Sequence, residues 1–284
     1  EYWHDPVFGI HRYLVYPFTR ESIPISTTYF GHSYVFNLPW HYFGIMSLIT
    51  FPIVLTTLLT GLFYLGFMDY KIIIPILFCI GFWLILGHLP IVPKHNGVRQ
   101  FISIYPLLGL ISWAGTIALT AKISRILPCR QSVAQKVTLL FVSGLLLFGI
   151  YKTHPFELSY YNQFIGGVKG AEKSGMQLTM YFEAINHKVI AAMNRNIQPG
   201  QSLYMSPPWP PLLQLYKNNG QLEKKIKILL QITDKMPDYL LVSRRRFSVN
   251  EELYLSLKPI YEVIYNGVSL VKFLKLEKTN AQSP

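Results

Sequence analysis

The sequence is poor in cysteine and in acidic residues, and both shortages limit what the protein can be. Among 284 residues there are two cysteines, Cys79 in an apolar run and Cys129 in a basic segment. We therefore expect neither a disulfide framework nor a cysteine-based metal site. Asp and Glu total 14 against 26 Lys and Arg, a formal net charge of +12. Since the basic residues are scattered along the chain, we expect anionic lipid headgroups or a lipid-linked phosphate as partners, and no nucleic acid.

Charged side chains are also missing from long stretches in the middle of the chain. Residues 42–67, 72–93 and 101–121 contain no Asp, Glu, Lys or Arg, and residues 135–151 form a shorter apolar run with one lysine. A helix of about 18 or more apolar residues is long enough to cross the hydrocarbon layer of a bilayer. We therefore predict four transmembrane helices at these positions, in a multi-pass protein of the cell membrane.

The basic residues beside these runs predict an orientation in the membrane. The segment 122–136, which connects the third run to the fourth, carries four basic residues and no acid: Lys122, Arg125, Arg130 and Lys136. Cytoplasmic loops carry an excess of Lys and Arg, so this segment is expected on the cytoplasmic side. Residues 1–41, the loop 94–100 and residues 154–284 are then extracytoplasmic. The chain begins at Glu1 rather than Met, and we expect it to be a piece of a longer protein.

Residues 154–284 differ in character from the apolar middle and predict a small extracytoplasmic α/β domain. The expected strands are 202–205 and 239–242, followed by a hairpin over 260–276 that turns at Asn266-Gly267. Apolar residues recur with helical spacing over 176–197. Further helical segments are predicted over 212–216, 222–232 and 251–257. About 130 residues are enough for one independent core.

The first 41 residues form an aromatic-rich outer loop in this interpretation. Aromatic side chains at a membrane boundary are typical of an interfacial belt, and the alternative is a platform for sugar rings or an isoprenoid tail that would include Trp3. Carboxylate and imidazole groups also occur here: His4, Asp5, His11, His32 and His41. Because their spacing matches no metal-ligand motif, we predict no metal site, and we keep a divalent cation as an alternative. Asp5 is also a candidate for binding substrate.

A short outer loop between two apolar runs carries Lys94, Gly97 and Arg99. Lys and Arg at helix ends commonly extend to the membrane interface without a further role. The alternative is a phosphate clamp, in which Arg99 offers a planar fork of donors and Lys94 a point charge. Gly97 would let backbone amides approach the same anion. Lys94 and Arg99 are therefore our candidates for binding a donor phosphate.

A polar and aromatic segment follows the fourth apolar run directly. It contains five candidates for binding a hydroxyl-rich substrate at the membrane surface: His154, Glu157, Tyr160, Tyr161 and Asn162. Pro155, Gly166 and Gly167 are equally typical of a connector that leaves a membrane helix. Both interpretations stay open from the residues alone.

These motifs carry a resemblance when they are taken in order along the chain. The segments are Trp3-His4-Asp5-Pro6, Leu38-Pro39-Trp40-His41-Tyr42, Asn96 to Phe101, His154 to Asn162 with Gly166-Gly167, and Pro237 to Val242. Together they resemble the C-terminal half of the dolichyl-phosphate-mannose protein mannosyltransferase-like membrane glycosyltransferases of the GT-C superfamily. The chain departs from the family's pattern at Asn96 and Gln100, and over 181–183, where relatives have a Tyr-Trp-Gly-like sequence.

The resemblance implies an integral-membrane hexosyltransferase that is mannosyltransferase-like. It would move a sugar from a polyprenyl-phosphate donor to a glycan, lipid or protein acceptor outside the cytoplasm. In that family the catalytic acids lie in the first outer loop, which the resemblance places before Glu1, so we expect these 284 residues alone to be inactive. The alternative is a non-catalytic membrane protein that binds a lipid-linked glycan or a partner subunit.

Overall fold

A computed structural model of the chain describes residues 5–19, 25–35, 38–52, 70–89, 92, 94, 97–126, 130–207, 209–231, 236–244 and 257–276. Outside this set lie Trp3, His4 and Cys129. Residues 53–69 also lie outside it, and they include most of the first predicted membrane span.

The N-terminal segment that we interpreted as a loop contains regular structure. Helix α1 covers Pro6–Thr19, and strands β1 (Thr27–Tyr29) and β2 (His32–Tyr34) pair as an antiparallel hairpin. Asp5 begins α1, because its carboxylate accepts a hydrogen bond from the backbone N–H of Phe8 at 2.9 Å.

Four apolar helices follow: α2 (Tyr42–Thr50), α3 (Tyr70–His88), α4 (Ile104–Ile126) and α5 (Gln131–Thr153). Of the described helices, α4 and α5 are long and apolar enough to cross a membrane. Each has 23 residues and is about 35 Å long at 1.5 Å per residue. The apolar part of α3, from Ile73 to His88, is shorter. Within the described residues, α4 and α5 thus account for two of the four spans that the sequence predicts.

Helices α2 and α3 pack closely where small residues allow it. Phe43 is fully buried and lies against Gly87, where a side chain on Gly87 would collide with the Phe43 ring. On the other side of the same contact, the His88 ring lies over Gly44. Phe43 also packs against Phe101, with ring centroids 4.4 Å apart, and this joins the turn before α4 to the same apolar cluster.

The C-terminal region is a mixed α/β structure around one five-stranded sheet. The strands are β3 (Ser202–Ser206), β4 (Lys227–Ile228), β5 (Tyr239–Ser243), β6 (Tyr261–Tyr265) and β7 (Val268–Lys275). Their order in the sheet is β4-β3-β5-β7-β6. β3 is parallel to both β4 and β5, whereas β7 is antiparallel to β5 and β6. All five residues of the central strand β5 are buried, as an internal apolar strand requires.

Among the described residues, three helices flank this sheet: α6 (Gly167–Lys173), α7 (His187–Asn196) and α8 (Pro210–Asn218). Both predicted strands are confirmed, and so is the hairpin, which turns at Asn266-Gly267 with φ of 47° and 79°. Positive φ at both central positions is typical of a two-residue hairpin turn. The helix predicted over 212–216 is also confirmed as part of α8.

One predicted helix is wrong and another is confirmed only over its second half, and hydrogen bonds to distant residues explain both differences. Over 176–197 only α7 is helical, because the Gln177 N–H donates to the carbonyl of Thr28 in the hairpin. Over 222–231 the chain forms turns and β4, since the N–H of Leu229 donates to the carbonyl of Leu203 in β3. Residues 251–256, where a further helix was predicted, lie outside the described residues.

The main core joins the α/β region to one of the apolar helices. Tyr42, Met46 and Ile49 of α2 belong to the same buried cluster as Tyr161 and the inner face of the sheet. The hairpin is attached to this cluster through Tyr29. α2 therefore contacts the α/β region on one face and α3 on the other.

Candidate functional site

Three of the segments that carry the family resemblance meet at one place, between the apolar helices and the α/β region. We call this place the junction, and it is formed by Tyr42, Gly97, Tyr161, Asn162 and Met180. The first four come from the segments that begin near positions 38, 96 and 154, and Met180 comes from the irregular stretch before α7. The following contacts hold the junction together.

Asn162 lies at the end of α2 and binds its last carbonyl groups. Its side-chain N–H groups donate to the carbonyls of Leu48 and Phe51, at 2.6 and 2.8 Å, and its backbone N–H donates to the carbonyl of Ile49. The last four carbonyls of any helix have no partner within the helix, so an outside donor is needed where the end is buried. Asn162 is fully buried and supplies it.

Tyr161 connects the junction to the irregular stretch before α7. Its hydroxyl donates to the carbonyl of Gln177 at 2.6 Å, and the side chain is 4% exposed. Burial raises the pKa of the Tyr161 phenol well above its ordinary value, so the group stays neutral at physiological pH. Tyr161 and Asn162 therefore hold the fold together with groups that we predicted to bind substrate.

Gly97 brings the outer loop against Tyr42 and Met180. Its N–H donates to the Tyr42 hydroxyl oxygen at 3.0 Å, and its backbone has a φ of 69°, which favours glycine. A Cβ at this position would lie 3.2 Å from the side chain of Met180. The loop that carries Arg99 is therefore fixed to the α/β region by a close backbone approach.

Arg99 lies two residues beyond Gly97, on the exposed side of the junction. Its guanidinium carbon is 4.9 Å from the ring centroid of Tyr181, within the range of a cation–π interaction. Within the part of the chain that the structure describes, Arg99 makes no ion pair and its side chain has no hydrogen-bond acceptor. Its N–H donors can therefore face an external anion.

Lys94 has a more local role than Arg99. Its ammonium group donates to the carbonyl of Leu89 at 2.7 Å, just after the end of α3. Basic side chains near a helix C-terminus commonly bind its last carbonyls in this way. Burial lowers the pKa of Lys94 from its ordinary value. One of its three N–H donors is thus engaged by the helix end, and the others face elsewhere.

His154 and Glu157 form an exposed pair at the end of α5. The His154 Nδ1 and Glu157 Oε1 atoms are 2.7 Å apart, and the two side chains are 72% and 48% exposed. A hydrogen bond with its own backbone and then one with His154 hold the pKa of Glu157 below its ordinary value. Tyr160 is half-buried, and its N–H donates to the carbonyl of Glu157. These three residues stay at the surface, unlike Tyr161 and Asn162.

Glu183 connects the surface segment to the stretch before α7, and the sequence analysis did not choose it. One carboxylate oxygen accepts from the Ser159 hydroxyl at 3.0 Å, and the other accepts from the Tyr181 N–H at 3.0 Å. Tyr181 and Glu183 lie where the chain departs from the Tyr-Trp-Gly-like pattern. That departure was the signal in the sequence that could have directed attention to them.

The N-terminal candidates lie apart from the junction or outside the described residues. Trp3 is in the latter group, and Asp5 acts as the cap of α1. His11 and His32 are exposed. His41 lies beside the junction, with its Nδ1 atom 2.9 Å from the Tyr29 hydroxyl. No group of three or more metal-ligating side chains occurs within the residues that the structure covers.

An exposed aromatic side chain lies near Tyr42, at the start of α2. Trp40 is 67% exposed, and its ring centroid is 5.5 Å from that of His41 and 5.9 Å from that of His88. Such a group suits an interfacial belt or a sugar ring, the two alternatives that the sequence raised.

The candidate site thus consists of a buried, hydrogen-bonded junction with a cation on its exposed side. Comparison with known proteins adds no name to this arrangement: the chain matches no protein-family model, and neither a curated protein nor a solved structure similar to it was found.

Proposed function

We propose that the chain is part of an integral-membrane glycosyltransferase that takes a sugar from a polyprenyl-phosphate donor. The observation that carries the proposal is the junction, where three ordered motifs of the resemblance meet although they are far apart in sequence. The exposed guanidinium of Arg99 lies on this junction, between the apolar helices and the α/β region. A lipid-linked phosphate at headgroup level would reach a cation in that position.

The membrane part of the proposal has four spans, with α4 and α5 as two of them. Both have the length and composition of membrane helices. Lys122 and Arg125 lie in the last turns of α4, and Arg130 and Lys136 lie just before and within the first turns of α5. This supports a cytoplasmic connection and an outer α/β domain. α3 and the region from α2 onward would supply the other two spans.

The proposed reaction needs a base for the acceptor hydroxyl and a cation for the departing phosphate. Arg99 is proposed for the second role, because a planar fork can bind two phosphate oxygens at once. Lys94 would add a second positive charge through the N–H donors that Leu89 does not engage. The exposed pair His154 and Glu157 would contact the acceptor.

The base is proposed to lie outside the described residues. Each acidic side chain that the structure describes already has a local partner. Asp5, Glu157, Glu172, Glu183, Glu223, Asp238 and Glu262 all accept a hydrogen bond or form an ion pair. The same observation favours a second candidate function, a non-catalytic membrane protein that binds a lipid-linked glycan or a partner subunit.

The test is donor turnover by membranes that contain the complete reading frame, with a polyprenyl-phosphate hexose as substrate. We expect release of polyprenyl phosphate, and a loss of about tenfold or more in turnover for Arg99→Ala, since a hydrogen bond to a charged group contributes about 1.5–3 kcal/mol. The turnover of Arg99→Lys should lie between those of the wild type and Arg99→Ala, because lysine keeps the charge and lacks the planar fork of donors.

The matched control is Arg195→Ala, which removes an exposed arginine on α7 and should leave turnover unchanged. If membranes release no polyprenyl phosphate from any hexose donor but still bind it, the non-catalytic function replaces the proposal. Near-normal kinetics of Arg99→Ala would reduce Arg99 to an interfacial anchor.

A further inference from the structure

Tyr181 is the one described side chain over which the Arg99 guanidinium lies. We infer that Tyr181 is a positioning residue, which holds Arg99 in the orientation that binds a lipid phosphate. The inference rests on the proposed function and deepens it, because it assigns part of the phosphate site to the α/β region rather than to the apolar helices.

Tyr181 is suited to this role because its backbone is hydrogen-bonded and the end of its side chain is buried. Its N–H donates to Glu183 Oε2 at 3.0 Å, and its hydroxyl oxygen is buried. The face of the Tyr181 ring lies against Arg99, whose guanidinium carbon is 4.9 Å from the ring centroid. An aromatic ring whose outer end is buried offers its face to a planar cation.

The loop that carries Arg99 is held against the same stretch by an independent contact. Met180, the neighbour of Tyr181, packs against Gly97, which is two residues before Arg99. Both ends of the Arg99–Tyr181 contact are therefore fixed by packing at the junction. Glu183 extends this support to Ser159, close to the exposed His154 and Glu157 pair.

Positioning matters for an arginine more than for most residues. A free arginine side chain loses rotamer freedom when it is held in one geometry. A guanidinium that already lies on a ring loses less of this rotamer freedom when phosphate binds, so the phosphate is bound more tightly. The ring also leaves the edge of the guanidinium, where the N–H donors lie, open to phosphate oxygens.

The experiment measures binding of a sugar-free polyprenyl phosphate to the purified complete protein in detergent micelles. Tyr181→Leu should weaken binding about two- to fivefold, the effect of a cation–π contact at a partly exposed site. Tyr181→Phe keeps the ring and should bind within about twofold of the wild type. In an Arg99→Ala background, Tyr181→Leu should cause no further loss, because the two residues act as one unit.

Phe148→Leu is the matched control. It removes the other described cation–π contact, in which the Lys152 ammonium lies 5.2 Å from the Phe148 ring centroid on α5. This variant should bind polyprenyl phosphate like the wild type. Thermal unfolding of each variant separates weakened binding from misfolding, and Tyr181→Phe keeps the test decisive if Tyr181→Leu does not fold.

The outcomes distinguish the inference from the proposal beneath it. Loss of binding in Arg99→Ala with wild-type binding in Tyr181→Leu overturns the role of Tyr181 and leaves the phosphate clamp intact. Loss of binding in Tyr181→Phe equal to that in Tyr181→Leu also overturns it, since the ring face would then be irrelevant. Wild-type binding in Arg99→Ala overturns the clamp, and the positioning role falls with it.

Discussion

Replacing Asn162 with alanine tests whether the junction holds the apolar helices to the α/β region. The substitution removes two donors, one to the carbonyl of Leu48 in α2 and one to the carbonyl of Phe51 just after it, and one acceptor for the N–H of Phe164. The backbone bond from Asn162 to Ile49 is kept. The side chain is fully buried, so water cannot readily replace the lost partners.

The expected cost follows from these contacts. Each buried polar group that is left without a partner costs about 1–3 kcal/mol. With three groups affected and some local relaxation, the free energy of unfolding should fall by about 3–6 kcal/mol. In a protein of this size, 1 kcal/mol shifts Tm by roughly 2–4 °C. We therefore expect Tm to fall by at least about 6 °C.

The assay is thermal unfolding in one detergent, followed by tryptophan fluorescence, with Asn194→Ala as the matched control. Asn194 also donates to one backbone carbonyl, of Gln221, and accepts from one backbone N–H, of Glu223, but it does so at the surface. Water can replace those bonds, so its loss should shift Tm by no more than about 2 °C. An equal shift in both variants, or none in Asn162→Ala, would refute the reasoning.

Two further predictions concern packing and pH. Gly87→Ala should lower stability by about 1–3 kcal/mol, because the new methyl group meets the buried Phe43 ring. The control, Gly81→Ala on the same helix, places its methyl group in open space and should be neutral or slightly stabilising. Tm in the same detergent measures both effects. Tyr161→Phe should be less stable than the wild type at neutral pH by about 1 kcal/mol. That difference in stability should shrink above about pH 10. The raised pKa of Tyr161 keeps its phenol neutral in the folded protein, whereas the phenol of the unfolded chain ionises. The stabilisation by Tyr161 is therefore complete below this pH and falls as pH rises. Tm values measured between about pH 8 and 11 test this, and parallel curves for the two proteins would contradict it.

The parts of the fold that sequence predicts well are those set by local signals. Asn266-Gly267 between two β-rich runs predicts a hairpin because positive φ at both positions is accessible to these residues. The buried strand β5 is similarly evident from its continuous apolar run. α4 and α5 follow from long apolar runs. In each case the information lies within about twenty neighbouring residues.

The elements that the sequence predicts wrongly depend on partners far away in the chain. Gln177 lies in a stretch whose apolar residues have helical spacing. Its N–H nevertheless donates to the carbonyl of Thr28, and its carbonyl accepts from the Tyr161 hydroxyl. Asn162 is polar and was therefore interpreted as a surface residue, whereas its partners are the carbonyls at the end of α2. No local pattern distinguishes a polar side chain that binds substrate from one that binds a buried helix end.

The candidate site was predictable in its parts and not in its assembly. The sequence selected Arg99 from its position beside an apolar run, and it is exposed in the structure. It did not predict that Tyr181 lies beneath it, because an aromatic residue in an irregular stretch carries no periodic signal.

The contact between Asn162 and Leu48 has a consequence for biosynthesis, since the two residues are 114 positions apart. A ribosome makes α2 first, then α3, α4 and α5, and only then the segment that binds the end of α2. In the membrane arrangement proposed above, the apolar helices enter the bilayer while the carbonyls of Leu48 and Phe51 still lack their side-chain donor. The junction therefore closes late, after the helices are inserted and the following segment has emerged on the same side as the end of α2. Formation of the junction would therefore be the step in biosynthesis that joins the membrane part of the chain to its outer domain.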